Sequence, residues 1–397
     1  MRALKIRGMV TSAPQGRKIL RVAHTRRIVD EIFGEDLHAK RVESVANGVV
    51  GVLNASVASI HAIGRAYAEV QGIQTKSAVK QIDRLLSNTG IDLDDTLSAW
   101  SRFVAGDVKQ LVLAMDWTDF EKDDHTTLCI YLVTGHGRAM PLVWQTVQKS
   151  TLKGTQTQLE VAMIERLHDY LPKHIQVTLL ADRGFGKVEL YELLEVLGWD
   201  YVIRFRGVIS VATSELASCA AQSLVPKNGR ARMLTSALVT GKKSAVPAVV
   251  VVKKRGMKDS WCLATTLSES SAAQIIKLYS RRFTIEEAFR DTKNLHFGLG
   301  LSATHIRNAG RRDRMLLLIA VAHSLLTLLG VAGERCGLDS TLKTNTVTTR
   351  TLSLYNQGGS WYRSIPNMPE ARLLKLMDAY ETVVSEQRFF CELFKLK

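Results

Sequence analysis

The spacing of apolar and polar positions divides the chain into stretches of different rhythm. From about residue 17 to 105 the pattern is helical. Within it "TKSAVKQIDRLLSNTG" puts Val79, Ile82, Leu85 and Leu86 on one side of a helix and Lys76, Lys80 and Arg84 on the other, with Gly90 as a stop. Past residue 105 the pattern becomes that of strands. "VKQLVLAMDWTDF" predicts a buried strand ending at Asp116, and "TTLCIYLVTG" and "AMPLVWQTVQ" predict two more, joined by the turn "GHGR". A helix, "TQLEVAMIERLHDYL", leads to the strand "IQVTLLADRGF" ending at Asp182, and a helix, "KVELYELLEVLG", leads to the strand "DYVIRFRG". Three meandering strands followed by helix, strand, helix, strand predict an α/β fold with a mixed sheet and helices packed on it.

Residues 208–267 hold further strand-like runs without a helical period, including "ARMLTSALVT", "AVPAVVVVKK" and "SWCLATTL", which we read as a small β insertion. A helix is expected over residues 272–294. Ser271 and Gln274 form an S-x-x-Q capping box, no Gly or Pro interrupts the segment, and Gly298 follows as a stop. On that helix Tyr279, Arg282, Glu286 and Lys293 fall at roughly 0°, 300°, 340° and 320° around the axis, a single stripe. Taken alone, such a stripe is more often a solvated face held by ion pairs. "MLLLIAVAHSLLTLLGVAG", residues 315–333, nearly reaches membrane-spanning length. Its His323, Ser324 and Thr327 favour a helix buried in a large core. The pattern thus predicts three units: a helical region over 1–105, a core over 106–335 with its insertion, and a helical region over 336–397 suited to packing on the core or to pairing two protomers.

Composition changes this picture in one respect. A net charge of +15 over 397 residues suggests a polyanionic partner, of which nucleic acid is the commonest, although acidic membranes also attract basic proteins. With 46% hydrophobic residues and 7 prolines the chain can bury a large core. Its five cysteines are scattered and contain no C-x-x-C, which fits a reducing compartment and argues against a zinc site or a disulfide framework. The basic N-terminus lacks the apolar run of a signal peptide, so a cytoplasmic protein is expected. In that light the basic face of Lys76, Lys80 and Arg84 suits a phosphate backbone as well as open solvent.

Ligand sites in open α/β sheets form at the carboxyl ends of strands, where Asp116 and Asp182 are expected. Asp119, Asp123 and Asp124 just beyond Asp116 are read as turn residues. With Glu286 from the stripe there are three carboxylates on three rigid elements. Such oxygen-only ligands suit Mg²⁺ or Mn²⁺, which keep waters and use substrate phosphates to complete their shells. Two such ions would serve in-line attack on phosphorus, and therefore phosphodiester cleavage or transfer. The rest of the stripe then gains a purpose. Arg282 could grip a phosphate, Lys293 supply a point charge and Tyr279 donate a hydrogen bond to a DNA strand crossing that face.

The spacing Y-x2-R-x3-E-x6-K resembles the signature of the bacterial insertion-sequence transposases of the DDE superfamily. "KQIDRLLSN", "DWTD", "ADRGF", "WCLATTL", "YSRRFTIEEAFRDTK" and "GLGLSATHIRN" resemble that family's segments in the same order. The resemblance implies an RNase-H-like core with a β-rich insertion and a catalytic and metal-binding triad of Asp116, Asp182 and Glu286. It also implies two Mg²⁺ ions per site, with Mn²⁺ as a substitute. The implied activity is cut-and-paste transposition on double-stranded transposon ends: nicking, hairpin formation and opening, and joining to target DNA by a dimer, with no membrane involved. Trp261 resembles the family's tryptophan that holds a flipped base, while Phe283 stands where some relatives have Trp and is expected to pack. Two alternatives stay open: an RNase-H-like nuclease or junction resolvase without strand transfer, and a silent DNA-binding repressor of transposition.

Overall fold

A computed structural model describes residues 22–385, apart from Ser56, Asp107, His136 and Phe297. The N-terminal basic segment and the last residues of the C-terminal run lie outside the described residues. Among the described residues the first elements are five helices: α1 (Val22–Phe33), α2 (Ala39–Asn54), α3 (Ile60–Gln71), α4 (Thr75–Ser87) and α5 (Leu93–Ala105). Their caps follow local chemistry. The Ser59 hydroxyl accepts from the Ala62 amide at the start of α3, and the Asp92 carboxylate accepts from the Asp94 and Asp95 amides at the start of α5. On α4 the burial of Ala78, Ile82, Leu85 and Leu86 opposite exposed Lys76, Lys80 and Arg84 matches the expected amphipathic helix, though it ends at Asn88 and not at Gly90.

Ten strands form one sheet in the order β3-β2-β1-β4-β5-β10-β9-β8-β6-β7. β1 (Gln110–Phe120), β2 (His125–Leu132) and β3 (Met140–Gln148) meander antiparallel. After α6 (Gln156–Tyr170), β4 (Gln176–Ala181) pairs parallel with β1. After α7 (Val188–Val196), β5 (Asp200–Phe205) pairs parallel with β4. This mixed α/β order is compatible with an RNase-H-like core. The apolar run of β2 is buried at every position, as expected of a strand covered on both faces. The strands of residues 208–267 do not stand apart from the core sheet. β10 (Trp261–Thr265) pairs antiparallel with β5, and β9 (Ser244–Val252), β8 (Arg232–Val239), β6 (Ser210–Ala212) and β7 (Cys219–Ala220) continue outward from it.

The expected helix over 272–294 is interrupted. α8 (Ala272–Ser280) passes through a 3₁₀ turn at Arg281–Phe283 into α9 (Thr284–Lys293). The Ser271 and Gln274 capping box is present at the start of α8. α10 (Ala309–Arg335) is long and apolar enough to cross a membrane, yet 89% of its most apolar window is buried within the protein. It packs against α2, α4, β3, α11 (Leu354–Ser364) and α12 (Glu370–Ser385), and one hydrophobic cluster runs from Ile28 through the sheet to Val383. A side chain of any size would separate α10 from α11: a methyl on Gly330 would overlap the Leu354 carbonyl, and one on Gly358 the Leu326 carbonyl. Gly358→Ala is therefore expected to cost about 1–3 kcal/mol or more through overpacking, seen as a lowered thermal midpoint. An unchanged midpoint would show that the two helices separate freely.

Candidate active site

In the β1–β4 ladder the last paired residues are Met115 and Ala181. The next residue on each strand is Asp116 and Asp182, so parallel pairing delivers the two carboxylates side by side. Asp182 follows the end of its strand as expected. Asp116 does not: β1 continues to Phe120 because Trp117, Thr118 and Asp119 go on pairing antiparallel with β2. Asp119 is accordingly a strand residue, ion-paired with Lys149 at 2.8 Å, and not part of a turn. Asp123 lies in a 3₁₀ turn but is buried against Arg312, and among the three only Asp124, at φ 53°, adopts a left-handed turn conformation.

α9 is docked over this end of the sheet from several sides. The Ala139 amide bonds the Thr284 carbonyl at 3.2 Å, Arg138 pairs with Asp291, and the Lys293 ammonium donates to Thr118 Oγ1 at 3.0 Å and to the Asp119 carbonyl at 2.6 Å. This docking turns the stripe towards the carboxylates. Arg282 Nη1 donates to Asp116 Oδ2 at 3.1 Å and its Nη2 to Glu286 Oε1 at 2.6 Å, with the guanidinium side chain only 5% exposed. Tyr279, also buried, points its hydroxyl at Asp182 Oδ1, 3.4 Å away. Arg204, at the end of β5, lies 3.7 Å from Asp182 and 3.8 Å from Asp259.

Three stripe residues expected to face a DNA strand therefore make their contacts inward. Tyr279 and Arg282 engage the carboxylates themselves, and Lys293 engages the β1 backbone beyond Asp116. The aromatic residues cluster here as well. The Trp261 ring is 4.9 Å from that of Tyr279, in an edge-on arrangement, and 6.0 Å from that of Phe283. Phe283 is 41% exposed and lies under the Arg282 guanidinium at 4.9 Å, so it is not buried packing. Lys76, Lys80 and Arg84 share no hydrogen bond or ion pair with this cluster among the described residues.

The electrostatics follow from this crowding. Burial pushes the Asp116 carboxyl up to about 6, and the neighbouring charges of Asp182 and Glu286 push the same way, against Arg282 and the Trp117 amide that bonds Asp116 Oδ1 at 2.9 Å. Burial opposes the charge on Arg282, but Tyr279, Asp116, Asp182 and Glu286 together outweigh it and raise its pKa. Burial lowers the pKa of Lys293. Among the described residues no three His, Cys, Asp or Glu side chains stand close enough to share one metal ion. In their place Arg282 spans Asp116 and Glu286.

Sequence reasoning missed two residues. Arg204 had a signal, a cation inside the apolar strand "DYVIRF". Glu160 had a clearer one, since it occupies the same helical face as Met163, Ile164 and Leu167 and is fully buried.

The fold and site together define an α/β protein with two aspartates where the parallel pairing of its central strands β1 and β4 ends, and a helix whose Glu286 is joined to one of them through Arg282. The model of the transposase DDE domain family matches residues 109–325, more than half of the chain's 397, and the chain belongs to that family. No curated protein matches the chain.

Proposed function

We propose that this transposase cuts and joins DNA at the ends of its element, with Asp116, Asp182 and Glu286 as the catalytic and metal-holding residues. The observation that supports this most is the register of β1 and β4, which sets Asp116 and Asp182 side by side, with Glu286 linked to Asp116 through one buried arginine. DDE transposases generally use divalent metals. The donor set fits one. The three carboxylates come from β1, the end of β4 and α9, all hard oxygen donors, and the Arg282 guanidinium bonded to both Asp116 and Glu286 marks the anionic charge that a hard cation would balance. Two Mg²⁺ ions, or Mn²⁺ in their place, held by these carboxylates would supply an activated oxygen nucleophile and a stabilised leaving oxygen.

The chain's own residues prepare this chemistry. Arg282 bridges Asp116 and Glu286 and balances their charge. With divalent ions held by the carboxylates, the Arg282 guanidinium would be free to bind a phosphate of the DNA. Tyr279 and Arg204 orient Asp182. Trp261 and Phe283, beside Tyr279 and Arg282, offer an aromatic surface for a base unstacked by a tight bend in the DNA. The exposed basic face of α4 suits backbone contacts along the transposon end.

The proposed sequence begins with water cleaving one strand. The freed 3′-hydroxyl then attacks the opposite strand to close a hairpin, a second water opens it, and the 3′-hydroxyl attacks target DNA, each step displacing a 3′-oxygen from phosphorus. Two protomers would hold the two ends, in the cytoplasm. The test uses end-labelled DNA flanking the gene with Mg²⁺ or Mn²⁺ on a denaturing gel. Nicks followed by hairpins are expected. Nicks alone would point to a nuclease without strand transfer, and binding without cleavage to a silent repressor.

A further inference from the structure

We propose that Glu160 is a positioning residue that fixes the separation of Asp116 and Asp182 by clamping the segments that follow them; this rests on the assignment of those two aspartates as metal ligands. Glu160 lies on α6 among Met163, Ile164, Leu167 and Tyr170, where a packing role would call for an apolar side chain, and its side chain is wholly buried. A buried carboxylate costs several kcal/mol unless it is paired and hydrogen-bonded. Here it is fully engaged. Oε1 accepts from Trp117 Nε1 at 3.0 Å and from Gln156 Nε2 at 2.8 Å, and Oε2 accepts from Lys187 Nζ at 2.6 Å. Lys187 is held further by Thr157 Oγ1 at 3.0 Å.

Two of these partners, Trp117 and Lys187, lie on the segments that follow the aspartates. Trp117 follows Asp116 directly, and its amide donates to Asp116 Oδ1 at 2.9 Å. Fixing the indole fixes that residue's backbone and with it the Asp116 carboxylate. Lys187 closes the short loop after Asp182: its amide bonds the Phe185 carbonyl at 2.8 Å, and the Phe185 amide bonds the Asp182 carbonyl at 2.9 Å. One carboxylate thus bonds to both segments, so neither aspartate shifts relative to the other without breaking a buried charge-assisted hydrogen bond. Side chains that orient ligands in this way typically govern metal affinity by 10–100-fold.

The test compares full-length wild type with Glu160→Gln, Trp117→Phe and Lys187→Met. Mn²⁺ binding is read from the signal of free Mn²⁺ in electron paramagnetic resonance, the metal dependence of DNA nicking in parallel, and folding from the thermal midpoint. Half-saturating Mn²⁺ is expected to rise about 10-fold or more in Glu160→Gln and Trp117→Phe, with nicking at saturating metal recovering to within a few-fold of wild type. Should Glu160→Gln fail to fold, the same shift in Trp117→Phe and Lys187→Met carries the proposal. Unchanged half-saturation in the folded variants, whatever their thermal midpoints or maximal rates, overturns it and leaves Glu160 a structural ion-pair partner. A wild type that neither binds Mn²⁺ nor nicks DNA overturns the metal assignment itself, and this proposal with it.

Discussion

Asp116→Asn is expected to abolish DNA cleavage and, in metal-free buffer, to raise the thermal midpoint of the protein by a few degrees. The two effects share one cause. Burial and the charges of Asp182 and Glu286 hold the Asp116 carboxyl at about 6, above its ordinary value of 3.8. The folded state therefore binds this proton more tightly than the unfolded state does, and the wild type loses stability as the pH rises from about 4 to about 6. At neutral pH the ionised group costs on the order of 1–3 kcal/mol, which the neutral amide avoids. The difference in midpoint between variant and wild type should be largest at pH 7 and close as the pH falls through 6 towards 4. An active site that sacrifices stability in this way is typical of enzymes. A variant less stable than the wild type at pH 7 would mean that Arg282 depends on Asp116 more than Asp116 suffers from its surroundings.

Arg312→Met is expected to be among the most destabilising single changes, by about 3–5 kcal/mol. Arg312 at the start of α10 is fully buried, and the side chain of its partner Asp123 is only 3% exposed. Its Nε also donates to His125 Nδ1 at 3.0 Å, and its guanidinium lies 3.9 Å from the centre of the Phe120 ring. Removing the cation leaves a buried carboxylate with only the Ile306 amide at 3.0 Å and the exposed His305 at 3.2 Å. The double variant Arg312→Met with Asp123→Leu should recover much of the loss, since a buried pair replaced by apolar groups is often neutral. Urea melts of the two singles and the double measure this. A double variant as unstable as the sum of the singles would show that the ion pair is not the source of the effect.

The strands and the buried apolar helix were legible in the sequence because their signals are local. Runs such as "LVLAM", "VTLLA" and the continuous apolar face of α10 state their own burial. What sets the site is not local. β1 runs past Asp116, so the aspartate's place is fixed by where parallel pairing with β4 stops, a property of two strands at once. The attachment of β10 to β5 is likewise a choice of sheet edge that no single segment records. The 3₁₀ turn at Arg281–Phe283 carries no Gly or Pro to announce it. The stripe of Tyr279, Arg282, Glu286 and Lys293 was visible from helical spacing, but its direction was not. Periodicity shows that polar groups share a face, and only the docking of α9 shows that this face meets Asp116 and Asp182. The Asp119 to Asp124 cluster was legible only in part: Asp123 and Asp124 lie in the β1–β2 turn, as aspartates commonly do, whereas Asp119 is a strand residue paired with Lys149, and the burial of Asp123 against Arg312 is a contact between distant segments.

The central claim is that Asp116, Asp182 and Glu286 act as one site. Its most direct test is cleavage of end-labelled transposon-end DNA in Mg²⁺ and in Mn²⁺ by Asp116→Asn, Asp182→Asn and Glu286→Ala, with DNA binding by each measured alongside. All three are expected to lose at least about 10³-fold in cleavage rate, the scale on which groups stabilising phosphoryl transfer act, while binding DNA within a few-fold of wild type. Cleavage retained by any one of them would remove that residue from the site and contradict the account.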